Sequence, residues 1–492
     1  MSDDSQSQRH IVVLGAGPAG LACAHELSRL GARVTVVERN SYVGGLCRTV
    51  NYKGYRFDLG GHRWFSKNPD LNNWFKRLMA GELVDVDRIS RVFYQGTFYD
   101  YPIRPLDVID KTATTTLAVA GLSYAKASIE YSLLRKPIRH IEDAFTAQFG
   151  GKLFDMFFRQ YTEKVWGRSC RELSADWVSQ RSKGLSIRRL AREAVQRGST
   201  DNTSLIEQFM YPRYGYMRIA ERLAEDVQDF GNTVLLNASV TGIDYQGSHD
   251  YRVHYRDSEG AQSLAATDVV STIPLGLLTQ MITPACDPVV RKAANGLTFR
   301  DLITVNLIVD REQVSPDTWL YVQNRDIVFG RIHEPKNWSP DMVPDTGRTS
   351  LVLECFCFRD DALWQSSDDE IAQRCIADLA DQLGFVHADD VIDWTVVRAP
   401  NAYPIYDLEY ADKIAAIRGY LDAFEGLEIA GRGGTFRYNN ADHSIEMGLL
   451  LGQRLLDLGG DHMAVNTESG YQEQATRDEM AARPSLSDSQ SA

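Results

Sequence analysis

Cysteine is scarce in this sequence: there are seven among 492 residues, an odd number without a C-x-x-C pair. This usage fits a reducing compartment better than a disulfide framework. Cys355 and Cys357 alternate within LVLECFCF, which places both on one face of a predicted strand. Core packing is favoured over metal ligation for two such thiols, so we predict no metal site.

A long apolar run is also missing. The best candidate, TATTTLAVAGLSYAKASIEYSLLRK after Lys111, carries many hydroxyls and Lys126, so it predicts a soluble helix and no integral membrane segment. The first residues, MSDDSQSQRH, are polar and run directly into a predicted strand, without the apolar stretch of a secretory signal. We therefore expect a cytoplasmic protein.

The chain has no excess of basic residues. Its 53 Lys and Arg stand against 66 Asp and Glu, and the formal net charge of −13 is spread along the sequence. This argues against a general nucleic-acid or membrane-surface binder, and any basic site must be local. With 43% hydrophobic and 24% charged residues, the chain is expected to be globular, and no nucleic-acid partner is expected. Whether the protein forms a homo-oligomer is left open by the sequence.

The first motif is a strand, a glycine turn and a helix near the N-terminus. HIVVL predicts a buried strand, GAGPAG and the amphipathic LACAHELSRLG follow, and RVTVVE predicts a second strand ending at Glu38. In this context the glycines predict a bound dinucleotide, with backbone N–H groups near its pyrophosphate and Glu38 on a ribose hydroxyl. The residues of the turn are Gly15, Gly17, Pro18, Ala19 and Gly20.

The next segment, RNSYVGGLCRTVNYKGYRFDLGGHRWF, resembles the second signature of the FAD-containing amine oxidase and UDP-galactopyranose mutase superfamily. The resemblance implies that the cofactor is FAD. It implies that Arg39, Gly45 and Leu46 contact the cofactor, the last two along its pyrophosphate and ribityl region. Gly61 and His62 would lie against the isoalloxazine. The alternative for His62 is a hydrogen-bonded structural histidine.

The end of the chain predicts a return to the same site. FEGLEIAGRGG predicts a strand ending at Ala430, then a glycine turn and a helix, which resembles how these flavoproteins bring their last segment to the flavin. The helix N-terminus would stabilise negative charge there. By the same resemblance, the later cofactor contacts are Val240, Thr272, Gly431, Arg432, Asn440 and Ser444.

Two segments narrow the resemblance to the UDP-galactopyranose mutase-like branch. FFRQYTEKVWGRSCRELSADWVSQR is similar to its Y-T-x-K-x-W-G pattern, and RGGTFRYNNADHSI is similar to the segment that carries its arginine and tyrosine. Planar arginines and a phenol suit a diphosphate. The implied substrate contacts are Trp166, Arg181, Tyr214 and Tyr438. The implied catalytic residues are His62 and Arg432.

The resemblance implies a mutase reaction on a nucleotide sugar. In that branch the flavin is reduced, its N5 attacks the anomeric carbon, and the sugar ring is isomerised without net oxidation. Asn440 stands where that branch usually has an acid, so the identity of the sugar is left open. A polyprenyl-linked glycan is an alternative substrate. An FAD-dependent oxidoreductase, like the amine oxidases, protoporphyrinogen oxidases and carotenoid desaturases, is the alternative reaction. A non-enzymatic flavoprotein is a third hypothesis.

The predicted fold is α/β, with a discontinuous Rossmann-like FAD-binding domain and inserted substrate regions. The FAD-binding domain is expected in residues 9–65, 215–296 and 424–462. A largely helical cap region is expected at 66–214, and an antiparallel-sheet region at 297–423. Residues 1–8 and 470–492 are predicted to be disordered tails, because they lack apolar periodicity.

Overall fold

The computed structural model describes residues 9–101, 114–181, 203–205, 208–467 and 474–476. Both predicted tails fall outside these ranges, apart from the short strand Gln474–Thr476, which pairs with Thr203–Leu205. The basic segment that follows Arg181 in the sequence lies outside them too.

A five-stranded parallel sheet forms the core of the N-terminal part. Its first two strands are rich in valine and isoleucine and almost wholly buried, as expected for strands covered on both faces. Its strands come from three separate parts of the chain, which confirms the discontinuous α/β fold. In order across the sheet they are Thr233–Leu235, Arg33–Val37, His10–Leu14, Asp268–Ser271 and Leu427–Ile429.

The helix Pro18–Arg29 packs against two others, Arg218–Asp229 and Ala441–Leu455. Gly448 allows the helix Ala441–Leu455 to approach the helix Pro18–Arg29 closely. A Cβ on Gly448 would lie 2.3 Å from Ala19 O, so a larger residue would push the two helices apart. The last long helix is thereby fixed against the beginning of the first.

A second sheet has four strands and packs beside the first. Three of its strands are antiparallel neighbours. The fourth, Ile282–Thr283, pairs in parallel with the strand Ser239–Gly247. The antiparallel strands are Ser239–Gly247, Asp250–Asp257 and Gly260–Ala266.

The largest sheet has seven strands and contains the expected antiparallel region. Two of its strands, Ser90–Tyr94 and Thr97–Asp100, come from the part predicted to be largely helical, so the two inserted regions share one sheet. One pairing in it is parallel, that of Ser90–Tyr94 with Trp319–Val322. The other strands are Val391–Pro404, Phe299–Val309, Thr349–Cys357 and Arg331–His333.

Helices and short hairpins complete the structure. The hairpin Thr49–Tyr52 with Tyr55–Asp58 follows the second strand, and Leu83–Asp87 pairs with Gln208–Pro212. The helices of the inserted helical region are Pro69–Leu78, Thr114–Ser128, Ile141–Phe149, Gly151–Phe154, Gln160–Trp166 and Asp176–Arg181. The later helices are Leu275–Met281, Pro288–Asn295, Ala362–Gln365, Asp368–Asp378, Tyr410–Leu421 and Gly431–Thr435.

Single turns of other helix types extend or connect these elements. The π-helical turns are Ile129–Leu133, Asp155–Arg159 and Leu379–Leu383. The 3-10 turns are Gly45–Cys47, Pro335–Asn337, Pro340–Met342, Ala388–Asp390 and His462–Ala464. Within the described ranges, no helix has both the length and the hydropathy needed to cross a membrane.

Candidate active site

The glycine turn after His10–Leu14 has the shape of a phosphate cradle. Gly15 has a φ of +101°, and a Cβ there would lie 2.5 Å from Thr272 Oγ1. The helix Pro18–Arg29 then begins after Gly17 without a side-chain cap, so the N–H groups of its first turn face a ligand's position. Among the described residues other than its chain neighbours, no atom lies within 4 Å of the Cβ position of Gly17. The turn is therefore open where a phosphate would meet the helix N-terminus.

Two further glycines hold backbone against this turn. A Cβ on Gly20 would lie 2.1 Å from Gly15 O, so glycine alone permits the helix to begin here. Gly45 has a φ of +54°, and its Cβ position is 3.4 Å from Gly17 Cα. Leu46 packs against the hydrophobic core of the helical region. The second glycine segment thus borders the cradle on one side and the inserted region on the other.

Glu38 follows the strand Arg33–Val37 and is buried next to the turn. Its Oε2 accepts a hydrogen bond from Ala16 N, and its Oε1 accepts one from Asn40 N, both at 2.9 Å. Oε1 also accepts from Asn40 Nδ2 at 2.6 Å, whereas Oε2 keeps a second lone pair, so Glu38 can accept from a ligand hydroxyl through Oε2. Arg39 is exposed beside it.

The end of the chain returns to this turn. Gly431 has a φ of +77°, and a Cβ there would lie 2.8 Å from Ala19 Cβ in the first turn of the helix. The glycine cluster predicted as a turn is itself a short helix, Gly431–Thr435. Arg432 is the next residue of that helix and belongs to the side-chain cluster described below. Two adjacent residues therefore link the cradle to that cluster.

Other residues predicted to contact the cofactor have their polar groups engaged within the protein. Thr272 Oγ1 donates to Leu14 O at 2.8 Å, and Ser444 Oγ donates to Asn440 O at 2.9 Å. Asn440 is also the N-cap of the last long helix. These bonds fix backbone near the cradle, while the hydroxyl oxygens keep lone pairs for a ligand donor. Val240 is half-buried in the second sheet.

A flavin dinucleotide fits these features. The open glycine cradle and the uncapped helix suit its pyrophosphate, and the buried carboxylate of Glu38 suits a ribose. In the part of the chain that the structure describes, no cluster of three or more His, Cys, Asp or Glu side chains could hold a metal ion.

The segment Gly60–His62 is tied to a buried carboxylate of the large sheet. Gly61 N donates to Glu354 Oε1 at 3.3 Å, and a Cβ on Gly60 would lie 3.2 Å from Glu354 Oε2. The His62 ring stacks on Tyr216 with centroids 5.3 Å apart.

The protonation state of His62 follows from its surroundings. Its Nδ1 lies 3.1 Å from Gly60 O, and because a carbonyl only accepts, Nδ1 carries the proton and Nε2 is left as an acceptor. Burial, together with the positive charge of Arg432, lowers the pKa of His62 to about 3. The imidazole is therefore neutral at physiological pH and is a weak base.

Five side chains from distant parts of the sequence form what we call the aromatic–arginine cluster. The Trp166 ring makes an edge contact with Tyr438 at 5.9 Å, and Tyr438 stacks on Tyr403 at 5.6 Å. The Arg432 guanidinium lies 5.1 Å from the Tyr438 ring centroid, and that of Arg331 lies 5.9 Å from the Tyr403 centroid. The cluster consists of Trp166, Arg331, Tyr403, Arg432 and Tyr438.

The two arginines of the cluster differ in their partners. Arg331 Nη2 donates to Tyr403 OH at 2.6 Å and pairs with Glu354 at 2.8 Å. Burial opposes the charge of Arg331, but Glu354 holds its pKa well above the ordinary value, so it stays protonated. Arg432 donates to two carbonyls, Asn439 O at 2.7 Å and Ala402 O at 3.0 Å. No carboxylate of the described residues pairs with Arg432, so its charge is left for a ligand.

Lys164 secures the helix that carries Trp166. Its Nζ donates to Val322 O, Asn324 O and Phe329 O at 3.2, 2.8 and 2.6 Å. Burial lowers the pKa of Lys164 to about 7, but three carbonyl acceptors require three N–H donors and so favour the ammonium form. Lys164 thereby joins this helix to the loop that precedes Arg331.

Tyr214, predicted to contact the substrate, lies at the surface instead. Gly215 N donates to Pro212 O, which closes a turn with Tyr214 at its tip. Tyr214 is 43% exposed, and Arg56 packs over its ring. Tyr216 borders the site, where it stacks on His62, because the turn directs the rings of Tyr214 and Tyr216 to different sides. The side chain of Arg181 lies outside the described residues.

Sequence reasoning missed Arg331, Tyr403 and Glu354. A signal for Glu354 was present, because it is the single acid in a strand, Thr349–Cys357, whose nine residues are all buried. A buried carboxylate requires a cationic or hydrogen-bonding partner. The identity of that partner depends on sheet register, which places Arg331 directly opposite Glu354.

Comparisons with known proteins agree with a flavin site. The family described as flavin containing amine oxidoreductase matches residues 18–411. A phytoene desaturase from Phycomyces blakesleeanus is 48% identical over 52 residues, 11% of this chain and 9% of that protein. A phytoene desaturase from Fusarium fujikuroi is 22% identical over 270 residues, 49% of this chain and 45% of that protein. The matches therefore span less than half of these relatives.

A solved structure extends the comparison to nearly the whole chain. The structure of reduced UDP-galactopyranose mutase superposes with a TM-score of 0.79 and covers 94% of this chain and 97% of that chain. The sequence identity is 21%, so the likeness concerns the fold.

Proposed function

Because the chain belongs to the flavin containing amine oxidoreductase family, we propose that it is an FAD-dependent enzyme that isomerises the sugar of a nucleotide sugar. The reaction is of the pyranose–furanose mutase type and involves no net oxidation. The observation that carries the proposal is the aromatic–arginine cluster, in which the charge of Arg432 lies over stacked tyrosines and has no carboxylate partner among the described residues.

The cluster suits the diphosphate of a nucleotide sugar. A diphosphate requires permanently charged, planar donors, and Arg432 is one, since a guanidinium stays protonated at any physiological pH. Arg331 supplies a second charge, partly balanced by Glu354. Tyr438 adds a phenol beside both arginines. The overall charge of −13 would repel such a ligand, so the local excess of positive charge is what selects it.

Three residues of the cluster and the neighbouring His62 have distinct roles in this reaction. Reduced flavin, when bound, supplies a nucleophilic ring nitrogen for the anomeric carbon of the sugar. Arg432 stabilises the negative charge that develops on the departing diphosphate. His62, neutral and accepting through Nε2, orients a sugar hydroxyl without taking its proton. Trp166 and Tyr403 pack around the diphosphate position and limit the access of water.

The second candidate is a flavin-dependent oxidoreductase. The curated relatives favour it, because phytoene desaturases align with up to 49% of this chain. An apolar substrate requires a channel lined by apolar side chains. The described residues near His62 include two arginines and several tyrosines, which favours the nucleotide sugar.

The experiment uses the flavin-loaded protein under anaerobic conditions. The flavin is reduced with dithionite and incubated with a panel of nucleotide sugars and one polyprenyl-linked glycan. Products are separated by chromatography and identified by NMR. We expect one substrate to yield its ring isomer while the flavin stays reduced.

Two results would contradict the proposal: no isomer from any substrate, and bleaching of the oxidised flavin by an amine or a polyene. Tyr214→Phe is the matched control, since Tyr214 lies at the surface, and it should isomerise at the wild-type rate. Arg432→Lys should slow the reaction.

A further inference from the structure

The helix Thr114–Ser128 and the turn that follows it carry an apolar stripe on their outer side. Leu122 and Leu133 are each 74% exposed, and Leu134 is 70% exposed. A surface helix normally presents charged residues to water on that side. The apolar stripe consists of Val119, Leu122, Ile129, Leu133, Leu134 and Ile138.

The inner side of the same helix accounts for its place in the fold. Ala120 and Ala127 are buried, and a Cβ on Gly150 would lie 2.8 Å from the Tyr124 backbone, so the next helices pack closely there. Leu117 packs against the core around Phe157. The fold therefore uses the inner side completely, and no described part of the chain covers the stripe. Contiguous exposed apolar surface of this kind marks an interaction site.

The rim of the stripe is basic. Between residues 114 and 140 there are four cationic side chains and one carboxylate, Glu130, in a chain whose net charge is −13. Lys126 lies 3.8 Å from Glu130 and Lys136 lies 3.3 Å from Asp143, whereas the guanidinium groups of Arg135 and Arg139 have no carboxylate partner among the described residues. The basic rim consists of Lys126, Arg135, Lys136 and Arg139, all exposed.

We propose that the apolar stripe docks this protein onto an anionic lipid surface. The helix would lie in the interface, with the stripe at the boundary of headgroups and acyl chains and the basic rim against anionic headgroups. Lysine and arginine suit this position, because their stems are apolar and their charged ends reach the headgroups. The net charge of the chain excludes general attraction to membranes, so the docking is local and needs both features.

A second copy of the chain suits the stripe less well. The common dimer is isologous and places the same patch of both subunits face to face. That arrangement would bring two basic rims together without a carboxylate excess to balance them. An anionic bilayer complements both the apolar and the charged part of the surface.

The experiment measures flotation of the flavin-loaded protein with lipid vesicles. One set contains phosphatidylcholine alone, and the other contains about a third phosphatidylglycerol. We expect binding to the anionic vesicles at low salt, at least about tenfold weaker binding to the neutral ones, and loss of binding at high salt.

Two double variants separate the contributions. Leu122→Gln with Leu133→Gln should reduce binding to anionic vesicles roughly tenfold or more, because it removes the side chains that insert most apolar surface. Arg135→Glu with Arg139→Glu should abolish the preference for phosphatidylglycerol. The matched controls, Val289→Gln with Leu458→Gln and Arg252→Glu with Arg256→Glu, change equally exposed residues elsewhere and should bind like the wild type.

The flavin spectrum and the thermal midpoint of each variant show whether it is folded. The proposal is overturned if the wild type floats with neither vesicle, or if the stripe variants bind as well as their controls. It is also overturned if the leucine variant halves the mass in solution measured by light scattering, since a second copy would then cover the stripe.

Discussion

The glycine cradle and the aromatic–arginine cluster are neighbours that are built in opposite ways. The cradle is made of backbone and depends on absent side chains at Gly15, Gly17, Gly20 and Gly45. The cluster is made of side chains contributed by two helices, two strands and a loop. The cradle therefore has no room for an added atom at Gly15 or Gly20, whereas the cluster depends on every one of its side-chain partners.

The cradle and the cluster also differ in how far apart their residues lie along the sequence. The cradle residues lie within about one supersecondary unit, the strand–turn–helix–strand that a sequence motif describes directly. In the cluster, Trp166 and Tyr438 are brought into contact by the large sheet and the C-terminal return. Local rules thus govern the cofactor side of the site, and topology governs the substrate side.

The largest expected effect tests the dependence of the cluster on partners. Arg331→Met leaves Glu354 buried without its cation, so we expect the free energy of unfolding to fall by about 3–5 kcal/mol. Urea denaturation of the flavin-loaded protein measures it. Arg348→Met is the control, since its pair with Asp310 is at the surface and is worth about 0–1 kcal/mol. Equal losses in both variants would contradict the account.

The second prediction tests the cradle with one added methyl group. The Cβ of Gly20→Ala would lie 2.1 Å from Gly15 O, so the turn must move. We expect a loss of about 1–3 kcal/mol in stability and a lower flavin content after purification. Gly419→Ala, in the helix Tyr410–Leu421, meets no atom within 4 Å and should gain about 0.5–1 kcal/mol. A Gly20→Ala protein with full flavin content would show that the turn is not the cofactor site.

The third prediction separates geometry from charge at Arg432. Arg432→Lys keeps the charge but loses the planar donors, so we expect the affinity for a nucleoside diphosphate to fall roughly tenfold, or about 1.4 kcal/mol. Calorimetric titration measures the affinity. Flavin content should stay unchanged, because the side chain of Arg432 contacts the cluster and the carbonyls of Asn439 and Ala402. Arg56→Lys, beside the surface Tyr214, should bind like the wild type.

The fourth prediction concerns pH. The pKa of His62 is lowered to about 3 in the fold, against an ordinary value of 6.5. The unfolded chain therefore binds more protons in this window, and stability falls as the pH drops from 6.5 toward 3. His62→Gln should lessen this dependence by at most about 1.4 kcal/mol per pH unit. Denaturation at several pH values measures it, and identical slopes for both proteins would contradict the assignment.

The cradle could be predicted from the sequence because each of its requirements is local. Gly15, Gly20 and Glu38 stand at fixed spacings around one turn, and the structure brings all three together. Gly431 was predicted from the resemblance as part of a late glycine turn at the cofactor, whereas Gly448 was not part of any prediction. The packing of the last helix on Ala19 explains Gly448, and no spacing in the sequence indicates that contact.

The cluster could be predicted only in part. Trp166, Arg432 and Tyr438 came from resemblance to a family pattern, whereas Arg331 and Tyr403 belong to no local motif. Their positions depend on the register of four strands in the large sheet, and register is a property of the folded chain. Tyr214 was predicted from the resemblance as a substrate contact, and its place at the surface depends on a single turn that no pattern in the sequence indicated.

The most direct test of the account is whether a nucleoside diphosphate binds next to the flavin. The oxidised, flavin-loaded protein is titrated with UDP and other nucleoside diphosphates, and the flavin difference spectrum and tryptophan fluorescence are recorded together. We predict saturable changes in both signals, with the fluorescence change lost in Trp166→Phe and the flavin change kept. Absence of any spectral change with every nucleoside diphosphate would contradict the central claim that the aromatic–arginine cluster is a diphosphate site beside the cofactor.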